Sequence, residues 1–189
     1  NTAIAMNPFS RAITRYHAGD HDSEFTIRRD DGFQQSVLAS TFFETEHFQS
    51  LEERAMDECR GNILDVGSAA GRHSLELLRR GNVVTSMDIL PEMEAVLKDR
   101  GQPDVIIADV MEFSGQEFDT ILMLMNGIGM VGNMDGLRDF LRHAHQLVSP
   151  GGQILCDSID VGITTDPQHV RYRKRTIASG RPAGQQAFI

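Results

Sequence analysis

From residue 62 onward, the sequence alternates short apolar runs of β-prone residues with amphipathic helical segments. Helical spacing occurs in "GRHSLELLRRG", "PEMEAVLKDRG" and "DGLRDFLRHAHQLVSPGG". Such alternation is typical of βαβ units around a parallel sheet. Five strands are predicted, at residues 62–66, 83–87, 105–107, 120–125 and 153–157. The sequence therefore predicts an α/β fold with a doubly wound, mostly parallel sheet and helices on both faces.

A glycine-containing turn, "LDVGSAAGRHS", joins the first of these strands to the first helix. Gly67 and Gly71 allow a tight turn and a close approach of the backbone to a ligand. The start of the following helix offers free N–H groups and the positive end of its dipole. In a doubly wound sheet, ligands bind beyond the carboxyl ends of the strands, where the strand order reverses. The turn is therefore predicted to hold a nucleotide or a similar ligand.

The spacing within this turn favours one kind of ligand over another. Dinucleotide-binding turns follow G-x-G-x-x-G, whereas the small residues here are Gly67, Ala69 and Gly71. An acid, Asp65, stands at the strand end, where it suits a cationic amino group better than a pyrophosphate. The pattern therefore favours a ligand with a cationic amino group over NAD, whose pyrophosphate is anionic.

Five segments in the same order resemble the motifs of class I S-adenosylmethionine-dependent methyltransferases: "LDVGSAAGRHS", "VVTSMDILPEM", "IIADVMEF", "EFDTILMLMNGIG" and "LVSPGGQILCDS". The resemblance implies a Rossmann-like core that binds S-adenosylmethionine and yields S-adenosylhomocysteine. It implies that Asp88 binds both ribose hydroxyls, Asp109 the adenine amino group and the Val110 backbone the ring. The cofactor-binding residues that it predicts are Asp65, Gly67, Ala69, Gly71, Asp88, Ile89, Asp109, Val110 and Asn126.

The chain departs from the family pattern at two places. Ala69 replaces the middle glycine of the turn, so its methyl group must be accommodated where the cofactor passes closely. After the fifth predicted strand, the remaining sequence is too short for the family's further helix and strand pair. Three explanations stay open: a truncated piece, an abbreviated sheet, or a partner that completes the sheet.

The sequence divides into an N-terminal lid or helical extension (1–60), a cofactor-binding core (61–160) and a C-terminal segment (161–189). Aromatic residues amid charge in the first part predict irregular structure, followed by a helix with apolar spacing at Phe48, Leu51, Ala55 and Met56.

One cluster in the extension, "YHAGDHD", invites a functional interpretation. His17 and His21 have metal-ligand spacing on a helix, but Gly19 interrupts that helix, so no metal site is predicted. A solvated polar loop is the favoured interpretation. The alternative is a lid from which Tyr16 reaches the active site. His17 and His21 are weak candidates for a general base, which is needed only if the acceptor must lose a proton.

Composition limits the partners of the chain. A formal net charge of −9 repels polyanions, and the Asn-Pro-Pro-aromatic pattern of many nucleic-acid methyltransferases is missing, which argues against a nucleic-acid substrate. No apolar run approaches the roughly 20 residues of a membrane span, and no secretory signal stands out, so a cytoplasmic location is expected. The predicted function is methyl transfer to a small-molecule acceptor. A non-catalytic binding or regulatory module stays open, and an NAD(P)-dependent oxidoreductase is less favoured; the oligomeric state stays undetermined.

Overall fold

The computed structural model describes residues 6–181 and 183. Within these residues the chain forms seven strands: β1 (Glu24–Arg28), β2 (Gln34–Leu38), β3 (Asn62–Val66), β4 (Val83–Asp88), β5 (Val105–Ile107), β6 (Phe118–Met123) and β7 (Val148–Cys156). It also forms six α-helices: α1 (Asn7–His17), α2 (Ser50–Glu58), α3 (Arg72–Arg79), α4 (Glu92–Asp99), α5 (Met134–Ala144) and α6 (Pro167–Ala178). Short 3-10 helices span Ala39–Phe42 and Gly127–Val131.

The central sheet has the strand order β5-β4-β3-β6-β7, and every neighbouring pair is parallel. The order reverses beside β3, because the chain adds β4 and β5 on one side and then crosses to add β6 and β7 on the other. The predicted α/β fold is confirmed. The point of reversal lies next to the turn that follows β3, where this kind of sheet binds ligands.

Helices cover both faces of the sheet, so its inner strands are buried on both sides and consist largely of apolar residues. On one face, Phe140 and Ala144 of α5 pack in a cluster with Leu64 and Met123. On the other face, α2 and α3 contribute Met56 and Leu77 to a cluster with Ile63 and Leu122. These two layers hold the strand ends in fixed positions relative to one another.

The N-terminal part is more ordered than the sequence predicts. The expected helix is present as α2, but the expected irregular structure before it contains α1 and an antiparallel hairpin of β1 and β2. Helix α1 is mostly polar and buries a narrow stripe that includes Ala12 and Ile13, which pack in one cluster with Met93 and Leu97 of α4. Packing against α4 stabilises the helix. The order of apolar and polar residues within α1 gives no information about this contact with a distant helix, so the sequence did not predict it.

Helix α6 contains the basic run at residues 171–175 and packs against the β1–β2 hairpin. The guanidinium of Arg29 lies 4.0 Å from the ring centroid of Tyr172 and 4.7 Å from that of Phe33. Asp31 accepts hydrogen bonds from Arg29 at 2.8 Å, and these bonds lower the pKa of Asp31 to about 2. The hairpin and α6, far apart in sequence, therefore form one packed unit.

Several predicted boundaries shift. Strand β6 begins at Phe118, and β7 begins at Val148, so the Pro-Gly-Gly run lies inside an irregular part of β7 rather than before it. Parts of the predicted extension (1–5) and of the predicted C-terminal segment (182 and 184–189) lie outside the described residues. In the described part of the chain, every helix is too short or too polar to cross a bilayer.

Candidate functional site

The turn between β3 and α3 has left-handed backbone at three positions. Gly67 has φ 76°, Ala69 has φ 48° and Gly71 has φ 85°. Glycine adopts these angles at little steric cost, whereas an alanine is strained there by about 1 to 2 kcal/mol. Ala69 therefore keeps the backbone of a glycine turn without being a glycine.

Space as well as backbone angle restricts the two glycines. A Cβ atom on Gly67 would lie 3.2 Å from Sδ of Met130, and one on Gly71 would lie 2.9 Å from Cδ2 of Leu97. Both distances are shorter than an ordinary van der Waals contact. The turn is thus packed between α4 on one side and the 3-10 helix after β6 on the other.

Asp65 lies inside the core, with 2% of its surface exposed. Its Oδ2 accepts a hydrogen bond from Oγ of Ser74, which accepts one in turn from Oγ of Ser86 at 2.6 Å. Burial raises the pKa of Asp65. The carboxylate thus connects β3 to α3, and its assignment to a ligand amino group stays a prediction.

Asp88 joins the ends of two strands. Its Oδ2 accepts the backbone N–H of Ala69 at 2.9 Å, and its Oδ1 accepts that of Leu90 at 3.0 Å. Burial raises the pKa of Asp88, and the backbone hydrogen bonds act against that rise. A carboxylate has about four acceptor positions, so both oxygens keep capacity for a further donor such as a hydroxyl.

Three further predicted residues follow β4 and β5. Ile89 is exposed directly after Asp88, and Val110 is half-buried against the core cluster of α5. Oδ1 of Asp109 accepts the backbone N–H of Met111 at 2.9 Å. Because Asp88 pairs with Ile107 in the sheet, the segments that carry these side chains start at neighbouring strand ends.

The exit from β6 contains two consecutive non-glycine residues in the left-handed region, Met125 at φ 59° and Asn126 at φ 64°. Asp157, just after β7, holds the following turn: its Oδ1 accepts the N–H of Gly127 at 3.0 Å. Strained backbone of this kind is concentrated at ligand-binding sites. Sequence reasoning predicted Asn126 but missed Asp157, although an acid directly after the fifth strand could have indicated it.

The fold therefore gathers most of the predicted site at one edge of the sheet. The turn follows β3, Asp88 ends β4, Asp109 follows β5 and Asn126 follows β6, and the carboxyl ends of these strands share that edge. Met130, in the segment after β6, also lies against Gly67.

The predicted lid residues have their described contacts elsewhere. Nε2 of His17 lies 3.2 Å from Oδ2 of Asp99, the last residue of α4, and the ring of Tyr16 packs against Phe43 and His21. In the described part of the chain, no three His, Cys, Asp or Glu side chains group so that they could hold a metal. A role for Tyr16, His17 or His21 in catalysis stays a prediction.

A buried network fastens the N-terminal part to the turn. Glu52 accepts hydrogen bonds from Arg72 at 3.0 Å and contacts Nε2 of His73 at 2.8 Å. Arg72 also donates to the carbonyls of Glu44 and His47. A second arginine, Arg100, donates to the carbonyls of Ala70 and Phe43.

The pKa of Glu52 reflects this network. Burial raises the pKa, but the hydrogen bonds from His73 and Arg72 outweigh burial and hold it well below its usual range. Residues 43–52 are thus tied to the turn and to the first residues of α3.

Comparison with known proteins identifies the family. A family model described as a methyltransferase domain matches residues 64–156. The crystal structure of a SAM-dependent methyltransferase from Bacteroides fragilis, in complex with S-adenosyl-L-homocysteine, aligns with a TM-score of 0.79. The two chains are 31% identical, and the alignment covers 86% of this chain and 69% of that one. This chain belongs to the SAM-dependent methyltransferases. The family resemblance predicted from the motifs is confirmed.

Two curated relatives are more distant. A demethylmenaquinone methyltransferase from Tropheryma whipplei is 25% identical over 129 residues, which are 65% of this chain and 52% of that protein. Nodulation protein S from Rhizobium tropici is 23% identical over 165 residues, 83% of this chain and 68% of that protein. The chain thus spans about half the length of the first of these relatives. The residues that match the methyltransferase domain include the turn, Asp88, Asp109 and Asn126.

Proposed function

We propose that this chain binds S-adenosylmethionine and transfers its methyl group to a small-molecule acceptor. The observation that carries the proposal is the contact between the turn and the end of β4, where Ala69 N–H meets the carboxylate of Asp88. This contact supports the proposal because it holds together the turn assigned to the methionine moiety and the acid assigned to the ribose hydroxyls. The Bacteroides fragilis relative, solved with S-adenosyl-L-homocysteine, supports the choice of cofactor.

Within this proposal, each residue at the strand ends has a distinct task. Asp88 accepts hydrogen bonds from the ribose hydroxyls, and Asp109 from the adenine amino group. Ile89 and Val110 flank the adenine ring. The methionine moiety lies along the turn and the exit of β6, where its contacts are Asp65, Gly67, Ala69, Gly71 and Asn126.

The chemistry needs positioning more than proton transfer. A sulfonium is already an activated methyl donor, and displacement occurs in line, with the acceptor atom opposite the sulfur. Holding the acceptor about 3 Å from the methyl carbon can supply on the order of 7 to 11 kcal/mol of the barrier reduction. A general base is required only for an acceptor such as a hydroxyl, and His17 and His21 are the candidates that the sequence offers.

A small-molecule acceptor agrees with two observations. The net charge of −9 disfavours polyanionic substrates. The Tropheryma whipplei relative is named for demethylmenaquinone, a small molecule. The cytoplasmic location expected from the sequence remains part of this proposal.

Isothermal titration of the purified chain with S-adenosylmethionine, S-adenosylhomocysteine and NAD tests the cofactor. We expect the first two to bind at micromolar concentration and NAD not to bind. Asp88→Asn should weaken both complexes at least ten-fold, because an amide cannot accept at both positions that Ala69 and Leu90 now occupy. Asp135→Asn, at an exposed position in the first turn of α5, is the matched control and should bind like the unaltered chain.

Two results would replace this proposal with an alternative. Binding of NAD without S-adenosylmethionine would indicate an oxidoreductase. Binding of S-adenosylmethionine without formation of S-adenosylhomocysteine, across a broad acceptor panel, would indicate a non-catalytic module.

A further inference from the structure

The segments that follow the five parallel strands carry no cationic residues of their own, although two arginines from outside them, Arg100 and Arg173, donate to the carbonyls of Ala70 and Val161. No Lys, Arg or His occurs in the segments that follow the five parallel strands, at residues 67–71, 89–91, 108–117, 124–133 and 157–166. The 18 Lys and Arg residues of the chain all lie elsewhere in the sequence. A carboxylate or phosphate on an acceptor would therefore find no counter-charge on these segments.

Most of the acids on these segments are engaged with backbone N–H groups. Four of them each accept a backbone N–H within hydrogen-bonding distance: Asp109, Asp157, Asp160 and Asp166. Their carboxylates shape turns and cap a helix rather than offer a free pair for a cationic acceptor.

Exposed apolar side chains stand at the same edge. Met125 is 41% exposed and Met130 is 54% exposed, and both belong to the segment that leaves β6. Ile159 and Ile163, after β7, are also exposed. Contiguous exposed apolar patches mark sites of interaction, and these four side chains leave the neighbouring strands β6 and β7 at one edge.

Contacts connect these apolar residues to the turn that would carry the methionine moiety. The side chain of Met130 lies against Gly67, since a Cβ on that glycine would be 3.2 Å from its sulfur. The segment with Ile159 is joined to the exit of β6 through Asp157, which accepts from Gly127 and whose carbonyl accepts from Ile128. Met130 thus lies beside the turn that would hold the methionine moiety, and Met125 belongs to the same segment after β6.

We propose that Met125 and Met130 form the wall of the acceptor pocket and select an uncharged, apolar acceptor. This inference rests on the proposed methyl transfer and adds its substrate class. Methionine suits the task, because its flexible, polarizable side chain adapts to apolar ligands of irregular shape. The left-handed backbone of Met125 and Asn126, held by Asp157, fixes the direction in which this wall leaves the sheet.

Three probes that share a ring system test the charge preference: 2-naphthol, 6-hydroxy-2-naphthoic acid and 2-naphthylmethylamine. Binding of each to the purified chain is measured by titration at saturating S-adenosylhomocysteine. We expect 2-naphthol to bind at least ten-fold more tightly than the carboxylate and the amine. Equal or tighter binding of either charged probe would overturn the inference.

Met125→Gln and Met130→Gln test the wall itself. Each should weaken 2-naphthol about ten-fold, because a polar amide replaces an apolar contact of similar shape. Leu141→Gln, an exposed apolar position on α5, is the control and should leave 2-naphthol binding unchanged. Unchanged 2-naphthol binding in both methionine variants would overturn the inference.

The titration of S-adenosylhomocysteine separates the two levels of proposal. If the chain does not bind it, the proposed function fails and the acceptor pocket fails with it. If the chain and its methionine variants bind it alike but do not discriminate among the naphthyl probes, only the acceptor inference fails. Light scattering measures the molar mass of the chain and of Met130→Gln in solution. If the chain is a dimer and the variant is a monomer, this surface binds a second copy of the chain, and the inference is overturned.

Discussion

Ala69 donates its backbone N–H to Oδ2 of Asp88 at 2.9 Å, across the ends of the adjacent strands β3 and β4. The donor has left-handed backbone with φ 48°, and the acceptor is a buried carboxylate whose pKa burial raises. Left-handed backbone at an alanine and burial of a carboxylate each cost free energy on their own. Together they fix the spacing between the turn and the acid, which is the spacing that the ribose and the methionine moiety of the proposed cofactor must match.

Ala69→Gly should therefore tighten cofactor binding with little change in stability. Glycine removes about 1 to 2 kcal/mol of left-handed backbone strain but adds about 1 kcal/mol of entropy to the unfolded chain, so the two effects largely cancel. Removal of the methyl group also opens room beside the ligand, so we expect S-adenosylmethionine to bind two- to five-fold more tightly by isothermal titration.

Ala70→Gly is the matched control for that change. Among the described residues, left-handed non-glycine backbone occurs at Ala69, Met125 and Asn126, so Ala70 has no such strain to lose. Ala70 is also fully buried, and its truncation should lower the free energy of unfolding by about 1 kcal/mol. Weaker binding of S-adenosylmethionine to Ala69→Gly would show instead that the methyl group contacts the ligand favourably.

Gly67→Ala should destabilise the chain mainly through its backbone. The left-handed angle at Gly67 costs an alanine about 1 to 2 kcal/mol, whereas the new Cβ meets only the flexible end of Met130. We expect urea denaturation to show that loss. Adding Met130→Ala should recover little of it, and a full recovery in the double variant would mean that the side-chain contact, rather than the backbone, sets the cost.

The strands of the sheet could be predicted from the sequence because each strand is marked by residues within or next to it. Apolar runs bounded by glycine and proline identified all five parallel strands, and the acids at positions 65, 88 and 109 stood at predicted strand ends. The bulged start of β7 was missed, since its Pro-Gly-Gly run looks like a turn and its pairing with β6 depends on a distant strand.

The rest of the site depends on contacts between distant segments. Asp157 holds a turn that lies 30 residues before it, and Arg72 reaches carbonyls 25 and 28 residues before it. Arg29 is 1% exposed, although its sequence context of charge and glycine suggests a solvated loop. Phe33 of the hairpin and Tyr172 of α6 both pack on Arg29, and the packing of the hairpin against α6 has no local signature.

Glu52→Gln should lower stability strongly near neutral pH. The change leaves the buried guanidinium of Arg72 without its counter-charge, and breaking a buried pair typically costs about 3 to 5 kcal/mol. Glu53→Gln, at the exposed neighbouring position, is the control and should change the free energy of unfolding by less than about 0.5 kcal/mol. Urea denaturation of the two variants at pH 7 measures the difference.

The same network predicts a pH dependence. The pKa of Glu52 is lower in the folded chain than in the unfolded chain, so its stabilising effect is fully present above about pH 4.3, the ordinary pKa of a glutamate. The effect is lost as the pH falls from there toward the folded pKa. Between pH 5 and pH 3, approximately, stability should therefore fall less steeply in Glu52→Gln than in the unaltered chain. Parallel slopes would contradict the assignment.

Asp157→Ala should impair methyl transfer more than cofactor binding. Asp157 holds the turn that begins at Gly127 and carries Met130, but it follows β7 and lies outside the predicted cofactor contacts. Without its oxygen, the strained exit of β6 is free to relax. We expect turnover of an acceptor that the unaltered chain methylates to fall about ten-fold, with the dissociation constant of S-adenosylhomocysteine raised by no more than about three-fold, because Asn126 shares the relaxed segment.

Asp157→Asn separates positioning from charge, because its amide oxygen can still accept the N–H of Gly127. This variant should retain most of the turnover if Asp157 acts by holding the turn. If Asp157→Asn is as inactive as Asp157→Ala while the cofactor still binds, the carboxylate charge itself takes part in the reaction. Asp157 would then be the better candidate for a general base than His17 or His21, whose described contacts are with α4 and Tyr16.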